Sequence, residues 1–220
     1  MHSFTEENYL KAIYHLSEQK AGGLVNTSEL ADATQTRSPT VTDMLKKLAE
    51  KELIHYQKYQ GVRLTDLGNQ IALKIIRSHR LWEVFLVEKL GFGWDEIHAI
   101  AEQLEHIESP ELINRLDAYL NFPQFDPHGD PIPNAAGAMP ETQTIRLSEA
   151  PQGHALLLTG VTEDSAVFLQ HLDRLGLTLG ARLQIVGQSE FDHSMTIQMD
   201  GSREIFITTA VADHLQVCLQ

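Results

Sequence analysis

SPTVTDMLKKLAEKELIHYQKYQGVRLT, residues 38–65, carries two periodicities in succession, and their order decides the fold. Ser38-Pro39 is a helix start, with serine as N-cap and proline at the first helical position, where its missing N–H costs nothing. Val41, Met44, Leu45 and Leu48 follow at helical spacing and predict one buried face. The first turn instead shows small polar groups, Thr40, Thr42 and Asp43. From Leu53 the pattern changes: Leu53–Tyr56 and Val62–Thr65 read as two short strands about a turn containing Gly61. Upstream, Thr27 caps a short helix, SELADAT. Short helix, turn, helix with a polar first turn and β-hairpin make a winged helix-turn-helix, whose second helix enters the major groove. The helix pair alone could equally be an αα-hairpin without nucleic acid. Lys58 and Arg63 beside the hairpin turn favour DNA, because basic wing residues suit phosphate contact.

Towards the N-terminus, Thr5 is expected as an N-cap, with Glu6 and Glu7 in a first turn where the helix dipole favours anions. Tyr9, Ile13 and Leu16 mark the buried face of a helix ending near Gly22-Gly23, and Asn8 by itself is an ordinary helix residue. The start, MHSFTEENYLK, lacks the charged-then-apolar layout of a signal peptide. No apolar run approaches the roughly 18 residues a membrane span needs. A single cysteine, Cys218, excludes an intrachain disulfide framework. A cytoplasmic protein with no membrane partner is expected.

A formal net charge of −13 argues against a nucleic-acid partner until it is divided along the chain. Residues 1–75 hold nine Lys/Arg and nine Asp/Glu, residues 76–122 four and nine, and residues 123–220 four and twelve. From Arg37 to Arg63 there are six basic residues against three acids. Phosphate attraction is governed over about a Debye length, so the global figure does not veto DNA.

Downstream, Thr65-x-x-Gly68 opens a long helix, roughly Asp66 to Leu90, which runs into HRLWEVFLVEKLGFGWDEIHAIAEQLEH, residues 79–106. His79 and Glu83 lie four apart on one helix face. His98, Glu102, Glu105 and His106 fall within an arc of roughly 100° on the next helix, beside an apolar stripe of Ile97, Ile100, Ala101, Leu104 and Ile107. Imidazole with carboxylate and no thiolate suits Mn(II), Fe(II), Co(II) or Zn(II). A lone His-x-x-x-Glu is more often a solvated pair. The clustered acids are harder to set aside, because like charges repel unless a cation relieves them.

Ser109-Pro110 starts a further helix whose Leu112, Leu116, Tyr119 and Leu120, with Leu81, Trp82, Phe85 and Leu86, offer a dimer face or simply core. Residues 121–143 hold five of the eight prolines and read as an extended linker. Beyond it IRLSEA, HALLLTGV, RLQIVGQ, MTIQMD and REIFITT predict five strands, interrupted by the helix SAVFLQHLDRLG, as in a small SH3-like barrel. The fold class is therefore mainly α with small β. Its expected segments are a winged helix-turn-helix over 1–75, a helical metal-binding and dimerisation domain over 76–122, a proline-rich linker over 123–143 and an SH3-like β-barrel over 144–220.

In this order, with SPTVTDMLKKL, HRLWEVFLVEKLG, IHAIAEQLEH and FDPHGDPIP as the most specific stretches, the chain resembles the diphtheria-toxin-repressor family of metal-dependent regulators over essentially its whole length. It is most similar to the manganese-responsive three-domain members. The resemblance implies a homodimeric repressor that binds palindromic operator DNA when metal is bound and controls metal-uptake genes, with no enzymatic activity and no small-molecule substrate. It also implies two metal sites per subunit. The primary site falls on Asn8, Glu102, Glu105 and His106, and the secondary on His79, Glu83 and His98, closed by Asp164 or its neighbour Glu163. Oxygen donors at positions 8 and 102, where iron-responsive relatives carry Met and Cys, favour Mn(II), with Fe(II) the other candidate. Two departures stand out. Manganese-responsive members usually carry Asp where this chain has Asn8, and Lys11 replaces the bridging Glu of two-domain relatives, which argues against their binuclear site. DNA contacts are expected from Thr27 and from Pro39, Thr40, Thr42 and Asp43 near bases, with Arg37, Ser38, Lys47, Lys58 and Arg63 near phosphates. The competing readings from the residues are a hydrolase using Glu102 or Glu105 as base on a metal-bound water, and a metal buffer or iron-transport accessory.

Overall fold

The computed structural model describes residues 2–20, 22–57 and 60–220. The chain divides into two compact units, neither of them a continuous stretch. The first runs to His79 and takes in Leu104–Ser109 and Pro133–Ala138; the second comprises Arg80–Gln103, Pro110–Ile132 and Met139–Gln220.

In the first unit, α1 (Phe4–Glu18) is capped by Ser3, two residues before the expected Thr5, because Ser3 and Glu6 form a capping box. The Ser3 N–H donates to Glu6 Oε2 at 2.9 Å and the Glu6 N–H to Ser3 Oγ at 3.3 Å. At α2 (Thr27–Ala33) the N-cap is Asn26, whose N–H donates to Glu29 Oε2 at 2.9 Å, so Thr27 is the first helical residue and not the cap. Similarly α3 (Ser38–Glu50) takes Arg37 as its N-cap and holds Ser38-Pro39 within its first turn. The hairpin of β1 (Ile54–Gln57) and β2 (Gly61–Leu64) pairs Ile54 with Leu64 and Gln57 with Gly61, and Val25 bridges to Val62 on its outer edge. Leu10 and Ile13 from α1, Leu30 from α2, Val41, Leu45 and Leu48 from α3, and Val62 close one buried core. Winged helix-turn-helix is thus the observed form.

Two polar devices fix this unit. Thr65 Oγ1 accepts from the Gly68 N–H at 3.1 Å and donates to the Glu52 carbonyl at 2.8 Å, which seats the start of α4 (Asp66–Leu90) on the end of the β1 approach. There Gly68 is obligatory, since a Cβ would lie 2.0 Å from the Leu53 carbonyl oxygen. Glu6, buried in the first turn of α1, accepts from Lys51 Nζ at 2.7 and 2.9 Å and pairs with Lys47 Nζ at 3.0 Å, tying α1 to α3. Burial opposes its charge, but the bonds from Lys51, Ser3 and Lys47 outweigh that and hold the carboxyl at about 2.

The second unit begins with Arg80 on α4. Leu81 and Val84 of α4 bury against Ile113, Leu116 and Leu120, the last following α6 (Pro110–Tyr119). Leu86 packs with Ile97 and with Ala101 of α5 (His98–Leu104). The buried stripe of α6 is rotated from the expected one: Ile113 is inside, whereas Leu112 and Tyr119 are 39% and 63% exposed. α5 also stops earlier than expected, so Ile107 leaves the stripe and is exposed.

The C-terminal sheet has six strands: β3 (Ile145–Arg146), β4 (Leu156–Val161), β5 (Arg182–Gln188), β6 (Met195–Met199), β7 (Arg203–Ile207) and β8 (Leu215–Leu219). All pairs are antiparallel in the order β3-β8-β4-β5-β6-β7. The expectation of five strands omits β8, which lies between β3 and β4 and turns Leu215 and Val217 into the core. IRLSEA gives only a two-residue strand before a 3-10 turn at Leu147–Glu149. Leu169 and Leu172 of α7 (Ala166–Leu175) close the core from one side; Ser165 caps this helix and left-handed Gly176 ends it. A short α8 (Thr209–Ala212) precedes β8. The segment expected as an extended linker is irregular yet anchored: the Val161 N–H donates to the His128 carbonyl at 2.9 Å. Gly129, at φ +88°, leaves no room for a Cβ, which would stand 2.1 Å from the Thr159 carbonyl oxygen. Among the described residues no helix is long and apolar enough to cross a membrane.

Two outcomes test this architecture. Gly68→Ala should lower the unfolding free energy by about 1–3 kcal/mol in urea titration, as overpacking does; an unchanged midpoint would mean that α4 does not meet the Leu53 carbonyl. The Glu6 carboxyl is lower in the folded protein than its ordinary 4.5, so its contribution is present above about pH 4.5 and lost as pH falls towards 2. The stability gap between the wild type and Glu6→Gln should therefore shrink over that window. A gap independent of pH refutes the assignment.

Candidate metal centre

Three segments of the first unit converge on one buried carboxylate. α5 ends at Leu104, and the turn that follows directs Glu105 inward until its side chain is 0% exposed. Lys11 Nζ donates to both Glu105 oxygens at 2.7 Å, and His79 Nδ1 meets Glu105 Oε2 at 2.6 Å. The next residue, His106, bonds through Nδ1 to Glu7 Oε2 at 2.6 Å, while its ring stacks on Phe4 with centroids 4.5 Å apart. Glu7 and Lys11 are one helical turn apart and share a face of α1. Asn8, a step of about 100° further round, is exposed. Glu7 is not among the ligand candidates that the sequence offers, although it meets His106 here. Its spacing to Lys11 was the available signal, but a helix N-terminus full of acids has an ordinary explanation in the dipole.

In the second unit the centre is Glu83 of α4. Its Oε1 lies 3.7 Å from His98 Nδ1, and its Oε2 lies 3.8 Å from His128 Nδ1. Each imidazole has a further acid. Asp164 Oδ2 is 3.7 Å from His98 Nδ1, and Glu102 Oε1 is 3.6 Å from His98 Nε2. Asp126 joins Glu83 and His128 in a fully buried trio whose donor atoms all lie within 4.8 Å of one another. Glu163, the alternative to Asp164, instead accepts from the Ser165 N–H at 3.1 Å, and the Ser165 bonds hold its carboxyl below the usual range. Asp126 and His128 were missed because FDPHGDPIP reads as linker, although Asp-x-His beside proline and glycine is a fixed-loop pattern.

These separations carry information. At 3.6–3.8 Å an N···O contact is too long for a hydrogen bond. Two donors each about 2.1 Å from a shared ion lie about 3.0 Å apart at right angles and up to about 4 Å apart at wider angles. The Nε2–H of His128 donates to the Trp94 carbonyl at 2.9 Å, which leaves Nδ1 turned to Glu83; such outer hydrogen bonds orient metal-binding imidazoles. Burial, together with the Asp130 and Glu83 charges, pushes the Asp126 carboxyl well up. Burial pulls His128 down, but Glu83 and Asp126 outweigh it and raise the imidazole to about 9. Buried acids that draw protons in this way fit a divalent cation, which neutralises them in the protons' place. Arg80 reaches Asp126 at 3.7 Å and Asp130 at 3.3 Å and holds this loop in position.

The nucleic-acid face is mixed. Arg37, Ser38, Pro39 and Thr40 are exposed at the start of α3, as is Arg63 on β2, while Thr27 is half-buried. Thr42 Oγ1 donates to the Ser38 carbonyl at 2.9 Å, and Asp43 pairs with Lys46 at 3.0 Å. Lys47 has its ammonium on Glu6, a partner that competes with phosphate. Lys58 lies outside the described residues.

Comparison with known proteins agrees with this arrangement. Residues 1–62 match the iron dependent repressor N-terminal DNA binding domain, residues 65–134 the iron dependent repressor metal binding and dimerisation domain, and residues 145–218 the FeoA domain. The chain is 31% identical over 193 residues to the iron-dependent repressor IdeR of Mycobacterium leprae, covering 82% of this chain and 83% of that one. Among solved structures, a manganese-dependent transcriptional repressor in complex with manganese superposes with a TM-score of 0.87 at 33% identity, covering 98% of this chain and 100% of the other. ScaR with bound Cd2+ gives a TM-score of 0.79 at 36% identity, covering 96% and 98%. Identity at this level across most of both chains leaves no place for the hydrolase reading: the chain belongs to the diphtheria-toxin-repressor family of metal-dependent transcriptional repressors, whose members are not enzymes.

Proposed function

We propose that this protein is a manganese-responsive, cytoplasmic repressor that binds palindromic operator DNA as a homodimer when its metal sites are filled, and that it controls metal-uptake genes. The observation that carries the reading is donor chemistry. The groups in both clusters that could donate to a metal are carboxylates and imidazoles, and Cys218 on β8 belongs to neither. Oxygen-rich sets suit Mn(II) better than softer metals. Fe(II) is the second reading, favoured by the likeness to an iron-dependent repressor.

Two sites per subunit are proposed. The primary one is Glu102, Glu105 and His106 with a donor from α1, and that donor is Glu7, already on His106, in place of the exposed Asn8. The secondary one centres on Glu83 with His98 and Asp164, three of the four residues the sequence suggests, the fourth being His79, and with His128 and Asp126 added from the anchored loop. His79, one turn before Glu83 on α4, bonds Glu105 and so supports the primary donors. Glu102, paired with His98, is assigned to the primary site by its spacing to Glu105.

A metal held by Glu7, Glu105 and His106 supplies a cross-link between α1, the first helix of the winged domain, and the turn after α5. This selects one orientation of the recognition helix α3, so that two copies in a dimer meet successive major grooves. Leu112, Tyr119 and Phe122, exposed on and after α6, are proposed to be covered by the second subunit. The domain scheme proposed is DNA binding over 1–75, metal binding and dimerisation over 76–122, a connecting loop over 123–143 and the FeoA-type sheet over 144–220.

The test is DNA retention by the purified full chain, using duplexes selected from a randomised pool. Binding should appear with Mn(II) after chelation, and Glu105→Ala should weaken it by about tenfold or more. Binding indifferent to metal overturns the mechanism. Linkage also requires that selected DNA tighten Mn(II) binding by the same factor. On the wing, Arg63→Ala should reduce the salt slope by about one while leaving sequence preference intact; a changed preference would place Arg63 at a base.

A further inference from the structure

Lys11 occupies the first cluster in a way that its position on α1 does not require. A lysine on a helix of a soluble protein ordinarily carries its ammonium into water along an apolar stem. Here the side chain is only 13% exposed, and the ammonium is shared between the two oxygens of a carboxylate that is itself 0% exposed. The His79 imidazole completes the shell of Glu105 at 2.6 Å. In this cluster the contacts of Lys11 and His79 with Glu105 and of His106 with Glu7 are 2.6 to 2.7 Å long, whereas His98 and His128 stand 3.7 and 3.8 Å from Glu83. The first cluster is closed upon a cation that belongs to the chain.

We propose that Lys11 is a tethered counter-cation that competes with the activating metal for Glu105 and thereby sets the metal concentration at which the primary site fills. The inference rests on the reading of Glu105 as a metal donor. Both Glu105 oxygens accept from the ammonium, and an ammonium and a divalent ion on one buried carboxylate repel each other strongly in a low-dielectric surrounding. Metal binding therefore requires the Lys11 head to leave. Its four-carbon stem can carry the head outward, so the competition raises a threshold and does not close the site. The competent state of Glu105 is then a fraction of the population, and the apparent dissociation constant rises by the inverse of that fraction. Because the displaced state is common to all ions, the threshold rises by the same factor for Mn(II) and Zn(II). Lys11 is a determinant of affinity and not of the ranking among metals.

The experiment measures Mn(II) bound to the full chain by the electron paramagnetic resonance of the free ion, with Zn(II) followed against a chromophoric chelator. Wild type, Lys11→Met, Lys11→Gln and Lys11→Arg are compared, each alone and with Glu105→Gln. Removing the charge with either Met or Gln should tighten the primary equivalent by about tenfold or more, equally for both metals, and Lys11→Arg should bind no tighter than wild type. In chelator the melting temperature of Lys11→Met should fall, because Glu105 loses its cation, and Mn(II) should raise it by more than in wild type. Unchanged or weaker binding in both neutral variants overturns the proposal if Glu105→Gln still removes one equivalent of metal. If Glu105→Gln removes none, Glu105 is not a donor and the metal reading falls together with the role of Lys11.

Discussion

A carboxylate taken out of water must have a cation, and this chain is built around three that meet the demand differently. The Glu6 side chain is satisfied permanently by Lys47 and Lys51, and the result is structural: α1 is locked to α3. Glu105 is held by Lys11 and His79, partners on mobile or titratable stems that can be exchanged. Glu83 stands between His98 and His128 at distances that no hydrogen bond spans. Counter-charges held with different tightness are the physical content of a metal-dependent switch. The cost of an unpaired buried charge converts metal availability into conformational preference.

Helix α1 is where these demands meet. Its first turn presents Glu6 to the recognition helix and Glu7 to His106, and one turn on it presents Lys11 to Glu105. Successive residues on a helix point about 100° apart, so adjacent acids can serve different masters within one rigid element. A change in what Glu7 and Glu105 hold acts on the same helix that positions α3 through Glu6. The winged domain therefore needs no hinge of its own for metal to bias it.

Much of this was legible in the sequence, and the errors have local causes. α4 was read to its observed ends because Thr65-x-x-Gly68 supplies a cap and a close approach at one point. The caps of α1, α2 and α3 were each placed late: in α1 and α2 a capping-box glutamate moved the start back, at Glu6 and Glu29. The expectation omits β8 despite its alternating Leu215 and Val217, since a last strand that pairs between the first two strands of its sheet has no neighbour in sequence to announce it. Periodicity carried α5 on to His106, but the helix stops at Leu104, and that stop turns Glu105 inward. Asp126 and His128 belong to a loop whose conformation is set by contacts with Arg80 and with β4, far along the chain. Spacing rules hold within an element; these residues owe their place to packing between elements.

The acidity of the chain, at first sight an obstacle to DNA binding, is consistent with such a switch. All of the surplus lies after residue 75, and part of it is internal, in Glu83, Glu105 and Asp126. Within the winged domain Glu6 engages two lysines of the recognition helix and Asp43 engages a third, which lowers the positive potential offered to phosphate. Sequence-independent affinity comes from phosphate neutralisation. A strongly basic winged domain would bind DNA in any orientation and leave a metal-selected geometry little to add. With that background low, a geometry favoured by metal has more to contribute to DNA retention. The internal pairing of Lys47 and Lys51 with Glu6 joins α1 to α3 and takes two ammonium groups out of the positive charge offered to phosphate.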